Sequence, residues 1–169
     1  ICELKRRGLK VGVTAVSPKV IVNLLETALE AAKKQGLDLR AVHRQSGEYE
    51  GKWGIERKTA YPAIRSQLGD GGIDVLGATP WCWARPEFEQ SVDVLIVDEA
   101  GQMTLSNVLA ASPAGPGLIL LGDPQQLEQP LPSSHPEGSE ASPLSHLLDA
   151  PATLPPHTAL FLRATPPSP

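Results

Sequence analysis

Asp98 and Glu99 stand side by side at the end of the apolar run Val92-Asp93-Val94-Leu95-Ile96-Val97. Two adjacent carboxylates can divide phosphate chemistry between them. One holds Mg²⁺ and the other orients or deprotonates an attacking water. A Val/Leu/Ile run without polar alternation fits a strand buried on both faces, as in a parallel sheet. Ligands of such sheets sit beyond the carboxyl ends of the strands, where Asp98 and Glu99 would emerge.

Other runs stop in the same way. Leu118-Ile119-Leu120-Leu121 leads into Gly122-Asp123-Pro124-Gln125-Gln126-Leu127, and Lys10 to Val16 leads into Ser17-Pro18. Between Lys19 and Lys34 the apolar residues Val20, Leu24, Leu25, Ala28, Leu29 and Ala32 recur at helical spacing. Ser17 and Pro18 fit its N-cap and first turn, and Gly36 its stop. A short helix is expected over Leu105 to Ala111. Another is expected over Leu144 to Leu148, with Ser142 as cap and Pro143 in first position. Strands are also expected near Leu39–Val42 and Asp74–Leu76. Alternating strands and helices predict an α/β fold with a parallel sheet. A lone Asp after a strand is more often a helix cap than a ligand. The Asp98-Glu99 doublet, with a second strand ending in Gly-Asp-Pro-Gln-Gln, tips the balance toward a polar site for a nucleotide and a metal.

These residues resemble the motifs of superfamily 1 helicases. Asp98-Glu99-Ala100-Gly101 resembles motif II, the Walker B box, and Gly122 to Leu127 resembles motif III. Gly12 to Ser17, followed by Val22-Asn23-Leu24-Leu25, resembles motif Ia. Leu76-Gly77-Ala78-Thr79-Pro80 resembles motif Ic. Their order is similar to the first RecA-like domain of the Upf-like, 5′→3′ branch, over roughly residues 5–150. The resemblance implies a partial RecA-like sheet of the P-loop NTPase type over 1–150, while the prolines concentrated after residue 110 suggest a loop from Pro130 to Pro143 and a poorly ordered tail over 151–169. It implies Mg²⁺ and ATP as cofactors. Asp98 would hold the Mg²⁺ and Glu99 would activate the water. Gln126 would sense the γ-phosphate, supported by Asp123, with Gln102 near the nucleotide. Thr14, Ser17 and Thr79 would contact the backbone of single-stranded DNA or RNA without reading sequence.

The family also needs a G-x-x-x-x-G-K-[ST] loop to cradle the phosphates, and the 169 residues contain none. Ile1 to Gly8 reads as the end of the helix that follows that loop, so the start is expected to be a cut. Its P-loop strand would then be lacking, leaving apolar sheet edges exposed. Leu160-Phe161-Leu162-Arg163 begins like the family's next arginine-bearing element and then departs from it. The expected partners are therefore single-stranded nucleic acid and the rest of a helicase polypeptide, with the chain inactive alone. The alternatives are a non-enzymatic remnant that binds nucleic acid or a protein partner, and a Mg²⁺ hydrolase using Asp98, Glu99 and Asp123 without ATP.

Charge is divided along the chain. Residues 1–70 carry 13 Lys and Arg against 8 Asp and Glu, whereas residues 71–169 carry 2 against 11. The basic part offers Lys19, Arg40, His43, Arg44, Lys52, Arg57 and Lys58 as nucleic-acid contacts or as a solvated face. With 4% aromatic residues, the core is expected to rest on Val, Leu, Ile and Ala. Trp81 and Trp83, beside Arg85, read either as a base-stacking platform or as packing under the loop Pro80 to Pro86. Trp53 and Tyr61 fall in a polar, glycine-rich stretch, 47–72, that reads either as a long connection between the strands near Leu39–Val42 and Asp74–Leu76 or, by the resemblance, as a variable insertion that touches nucleic acid. His135, near Glu137 and Glu140, reads as a loop residue rather than a metal ligand. Cys2 and Cys82 are too few for a zinc site or a disulfide framework. No run is long enough to cross a bilayer, and a cytoplasmic, nucleoid or nuclear setting is expected.

Overall fold

Each of the apolar runs becomes a strand of one sheet. The structure, a computed structural model, describes residues 1–45, 54–123 and 142–148. The strands are β1 (Val11–Thr14), β2 (Ala41–Arg44), β3 (Glu56–Lys58), β4 (Val75–Gly77), β5 (Val94–Val97) and β6 (Gly117–Leu120). They lie in the order β3-β2-β4-β1-β5-β6, and every pairing is parallel. The helices are α1 (Cys2–Arg6), α2 (Pro18–Lys34), α3 (Tyr61–Gly69), α4 (Pro80–Trp83), α5 (Leu105–Ala111) and α6 (Pro143–Leu148).

Chain direction explains which face each helix covers. From β1 the chain crosses through α2 toward one edge of the sheet. From β3 it steps back through α3, α4 and α5 toward the other. Right-handed crossovers in opposite directions put their helices on opposite faces. Accordingly α1 and α2 pack on Val11, Val13, Ala41, Val75 and Ile96, while Ile64, Leu68, Trp83, Phe88 and Ala111 pack on Val42, Leu76 and Leu95.

The helix α2 forms for the reasons its sequence suggests. Ser17 Oγ accepts a hydrogen bond from the Val20 N–H at 3.3 Å, and Pro18 occupies the first turn. Ile21, Val22, Leu25, Ala28 and Ala32 make the buried stripe, and Gly36 at φ +62° ends it. Burying Ile21 or Leu25 contributes about 2 kcal/mol each.

At the amino edge of the sheet, Asp74 joins three segments. Its carboxylate accepts from Lys5 Nζ at 2.6 Å, from the Arg40 guanidinium at 2.9 Å and from the Arg40 N–H at 2.8 Å. Burial alone would raise the Asp74 pKa, but the hydrogen bonds from Arg40 and Lys5 outweigh it and hold the carboxyl below its ordinary value.

Two expectations need correction. The stretch 47–72 is not only a connection, because its described part contains β3 and the start and body of α3. The segment after Thr79 is not a loop but the short helix α4. The core also uses aromatic rings more than their number suggested. Trp83 meets Phe88 edge-to-face at 5.8 Å, and Tyr61 meets Phe88 at 5.9 Å. Among the described residues, no helix is long and apolar enough to cross a membrane.

Candidate functional site

Adjacent strands β1 and β5 lead to helices on opposite faces, so the sheet's crossovers change direction at their carboxyl ends. That is the usual ligand position of an open parallel sheet. Backbone hydrogen bonds tie the strand ends around it. The Asp98 N–H donates to Thr14 O at 2.9 Å, Leu121 N–H to Val97 O at 2.8 Å, and Ala100 N–H to Leu121 O at 2.8 Å. The loops after β5 and β6 are thus joined to each other and to β1.

The doublet sits on a turn. Asp98 Oδ1 accepts from the Glu99 N–H at 3.0 Å, and the Gln102 N–H donates to Glu99 O at 2.8 Å. Glu99 is held at φ +53°, in the left-handed region. For a side chain with a Cβ that conformation costs roughly 1–2 kcal/mol. The half-buried Glu99 therefore carries local strain where the sequence expects the water-activating group.

Two glycines let the loops touch. A Cβ on Gly101 would lie 2.7 Å from Asp123 O, and one on Gly122 would lie 3.0 Å from Gly101 N and 3.0 Å from Leu144 Cδ1. Backbone meets backbone here, and this contact brings the exposed Asp123 to the loop that carries Asp98 and Glu99. Gln102 is half-buried on that loop. Gln126, with the rest of Pro124 to Leu127, lies outside the described residues, as do Lys52, Trp53, His135 and Arg163.

Among the described residues, no group of three or more His, Cys, Asp or Glu side chains gathers to hold a metal ion. Mg²⁺ commonly uses one or two carboxylates and completes its octahedron with water and substrate phosphates. Asp98, with one oxygen turned to the Glu99 N–H and a second left for a cation, fits that smaller demand.

The residues expected to touch nucleic acid are divided by the fold. Thr14 is fully buried, and its hydroxyl has no hydrogen-bond partner among the described residues. Ser17 is half-buried and caps α2. Thr79 is half-buried at the N-cap of α4 and makes no capping hydrogen bond through its side chain. Ser17 and Thr79 are thus partly open to solvent, whereas the Thr14 hydroxyl lies beneath the surface.

The tryptophans separate clearly. Trp83 is buried, and its indole N–H is shared between Val13 O and Ala78 O, both at 3.1 Å. It is a packing residue. Trp81 is 81% exposed, two residues after Thr79. The basic set is smaller than the sequence suggested. Arg40 is committed to Asp74, and His43 is buried rather than presented to solvent. Burial, with a smaller contribution from Arg57, lowers the His43 pKa to about 4. The reason is that β2 is covered on both faces: Val42 packs on one side and Ala41 on the other, the side His43 shares.

One cluster has no local signal in the sequence. The guanidinium carbons of Arg44 and Arg85 lie 4.3 and 4.2 Å from the Tyr61 ring centroid. Arg85 also pairs with Glu87 at 2.7 Å. The cations come from β2 and from the end of α4, so only the sheet order brings them to one ring.

No protein-family model matches the chain, and no curated protein matches it.

Proposed function

We propose that this chain is part of the ATP-driven motor of a nucleic-acid helicase, from its first RecA-like domain. The observation that carries the reading is the Asp98-Glu99 turn at the carboxyl edge of a parallel sheet, braced by Gly122-Asp123 from the next strand. In this reading Asp98 holds the metal of MgATP, and the Glu99 carboxylate orients the attacking water. Bound Mg²⁺ would supply neutralisation of phosphate charge. Gln126 senses the γ-phosphate, Asp123 supports it, and Gln102 lies beside the nucleotide. Ser17, Thr79 and the loop that ends β1 at Thr14 hold the backbone of a single strand. Isolated, the chain turns over no ATP above background. ATP turnover that disappears in Glu99→Gln would overturn that statement.

The size of the polypeptide in its own cells tests the motor reading directly. An immunoblot product several times heavier than 18.0 kDa supports it. A product of this size favours a non-enzymatic remnant that binds nucleic acid or a protein partner. The exposed Trp81 beside Thr79 gives that second reading its own support. Base–aromatic stacking contributes about 1–3 kcal/mol per base. Titration with single-stranded oligonucleotide should therefore quench the indole emission. Trp81→Ala should abolish the quenching and weaken binding about tenfold.

A further inference from the structure

The carboxyl edge of the sheet is divided by charge. Strands β5 and β6 lead there into Asp98, Glu99 and Asp123. On the other side of that edge, β3 ends at Lys58, β2 ends at Arg44, and β1 leads into the exposed Lys19. Arg85, just after α4, joins this basic half through Tyr61, the first residue of α3. The Tyr61 ring draws in both guanidiniums, with Arg44 Cζ at 4.3 Å and Arg85 Cζ at 4.2 Å from its centroid. The ring itself is anchored edge-to-face on the buried Phe88. Arg44 Nε is a buried donor with no hydrogen-bond partner among the described residues. A buried charged donor left without an acceptor is costly, so the arrangement calls for an oxyanion. Arg85 pairs with Glu87, and both side chains of that pair are more than 40% exposed. Such a pair is weak and yields to a stronger anion.

We propose that Arg44 and Arg85, positioned by Tyr61, clamp a backbone phosphate of a single-stranded nucleic acid. The clamp rests on the reading of Ser17 and Thr79 as strand contacts, and it extends their path toward β3. Strands β2, β4 and β1 are consecutive in the sheet, about 4.8 Å apart. Arg44, Thr79 and Ser17 follow their carboxyl ends, so the three form a row across the sheet. Cations spread along a row suit a chain of phosphates better than one compact anion. Trp81, 81% exposed and two residues after Thr79, offers a base a stacking surface beside the same row. Beyond β1 the row meets Asp98, Glu99 and Asp123, whose charge repels a polyanion. The strand is thereby confined to the β3-β2-β4-β1 half of the edge. Guanidinium suits the task because its planar fork binds phosphate bidentately and stacks on aromatic rings.

Anisotropy of a labelled single-stranded oligonucleotide, titrated with the full chain over a series of salt concentrations, tests the clamp. Each phosphate neutralised on a single strand contributes about −0.7 to the slope of log K against log salt. Arg44→Gln and Arg85→Gln should each make the slope shallower by about 0.7, at an unchanged melting temperature. Lys33→Gln makes the same charge change in the last turn of α2 and should leave the slope as it was. Glu87→Gln releases Arg85 and should tighten binding about twofold, a gain that structural damage does not produce. Tyr61→Phe keeps the ring and should match the unmodified chain, whereas Tyr61→Leu should lose slope as the arginine variants do. If the unmodified chain binds and both arginine variants keep its slope, the clamp is overturned while the motor reading stands. Displacement of the oligonucleotide by millimolar inorganic phosphate at constant ionic strength would assign the arginines to a small anion and also overturn it. An unmodified chain that binds no oligonucleotide would overturn the clamp together with the strand contacts of Ser17 and Thr79.

Discussion

Gly101 and Asp123, on loops after different strands, approach so closely that a Cβ on Gly101 would sit 2.7 Å from the Asp123 carbonyl oxygen. The neighbour in this contact is backbone, which cannot rotate away as a side chain could. The position of Asp123 relative to the Asp98-Glu99 turn is therefore set by the absence of a side chain at residue 101.

Gly101→Ala should force the two loops apart. Overpacking of this kind costs about 1–3 kcal/mol. Urea unfolding should show a lower midpoint with an unchanged slope. An unaltered midpoint would show that the loops separate freely.

Glu99 holds a left-handed conformation at φ +53° that glycine adopts without penalty. Glu99→Gly should therefore stabilise the fold by up to about 1 kcal/mol, although the carboxylate is lost. Glu99→Gln keeps the strain and should leave the melting temperature unchanged. The two variants together separate the backbone role of residue 99 from its chemistry. Equal melting temperatures for both would remove the claim of strain.

Thr14 buries a hydroxyl with no hydrogen-bond partner among the described residues. Valine has nearly the same shape and no polar atom to desolvate. Thr14→Val should raise stability by roughly 1 kcal/mol, read as a higher denaturant midpoint. A fall in stability would mean that the hydroxyl has a partner in solution.

His43 is neutral in the folded chain down to a pKa of about 4, while its ordinary value is 6.5. Between those values the unfolded chain binds a proton that the folded chain refuses, so stability falls as pH is lowered through this window. The loss is on the order of 3 kcal/mol and levels off below the folded pKa. Asp74 adds a separate loss at lower pH. Its carboxyl is held below the ordinary value, and the Lys5 and Arg40 pairs fail as pH falls through the folded pKa. Denaturation curves from pH 7 to 4 should show the first slope, and His43→Leu should flatten it.

Local patterns were readable without coordinates because their causes are local. The cap at Ser17, the stripe on α2, the stop at Gly36 and the bounds of α5 all follow from interactions within a few residues. The strand before Asp98 was readable because it is apolar at every position. Strand β3 was not, since Glu56-Arg57-Lys58 has no apolar period and gains its pairing from β2 alone.

The sequence by itself determined that this chain alternates strands and helices, and that its carboxylate doublet and Gly122-Asp123 follow apolar strands. Tertiary structure decided the rest. Sheet order makes β1 and β5 neighbours, so Asp98 meets the end of β1 although the two are far apart in sequence. Helices on both faces of that sheet bury Thr14 and His43, and the packing of α4 on it buries Trp83 and leaves Trp81 in solvent. Exposure depends on which helix covers which face. That is settled by the handedness of crossovers between distant strands, which no short stretch of residues encodes.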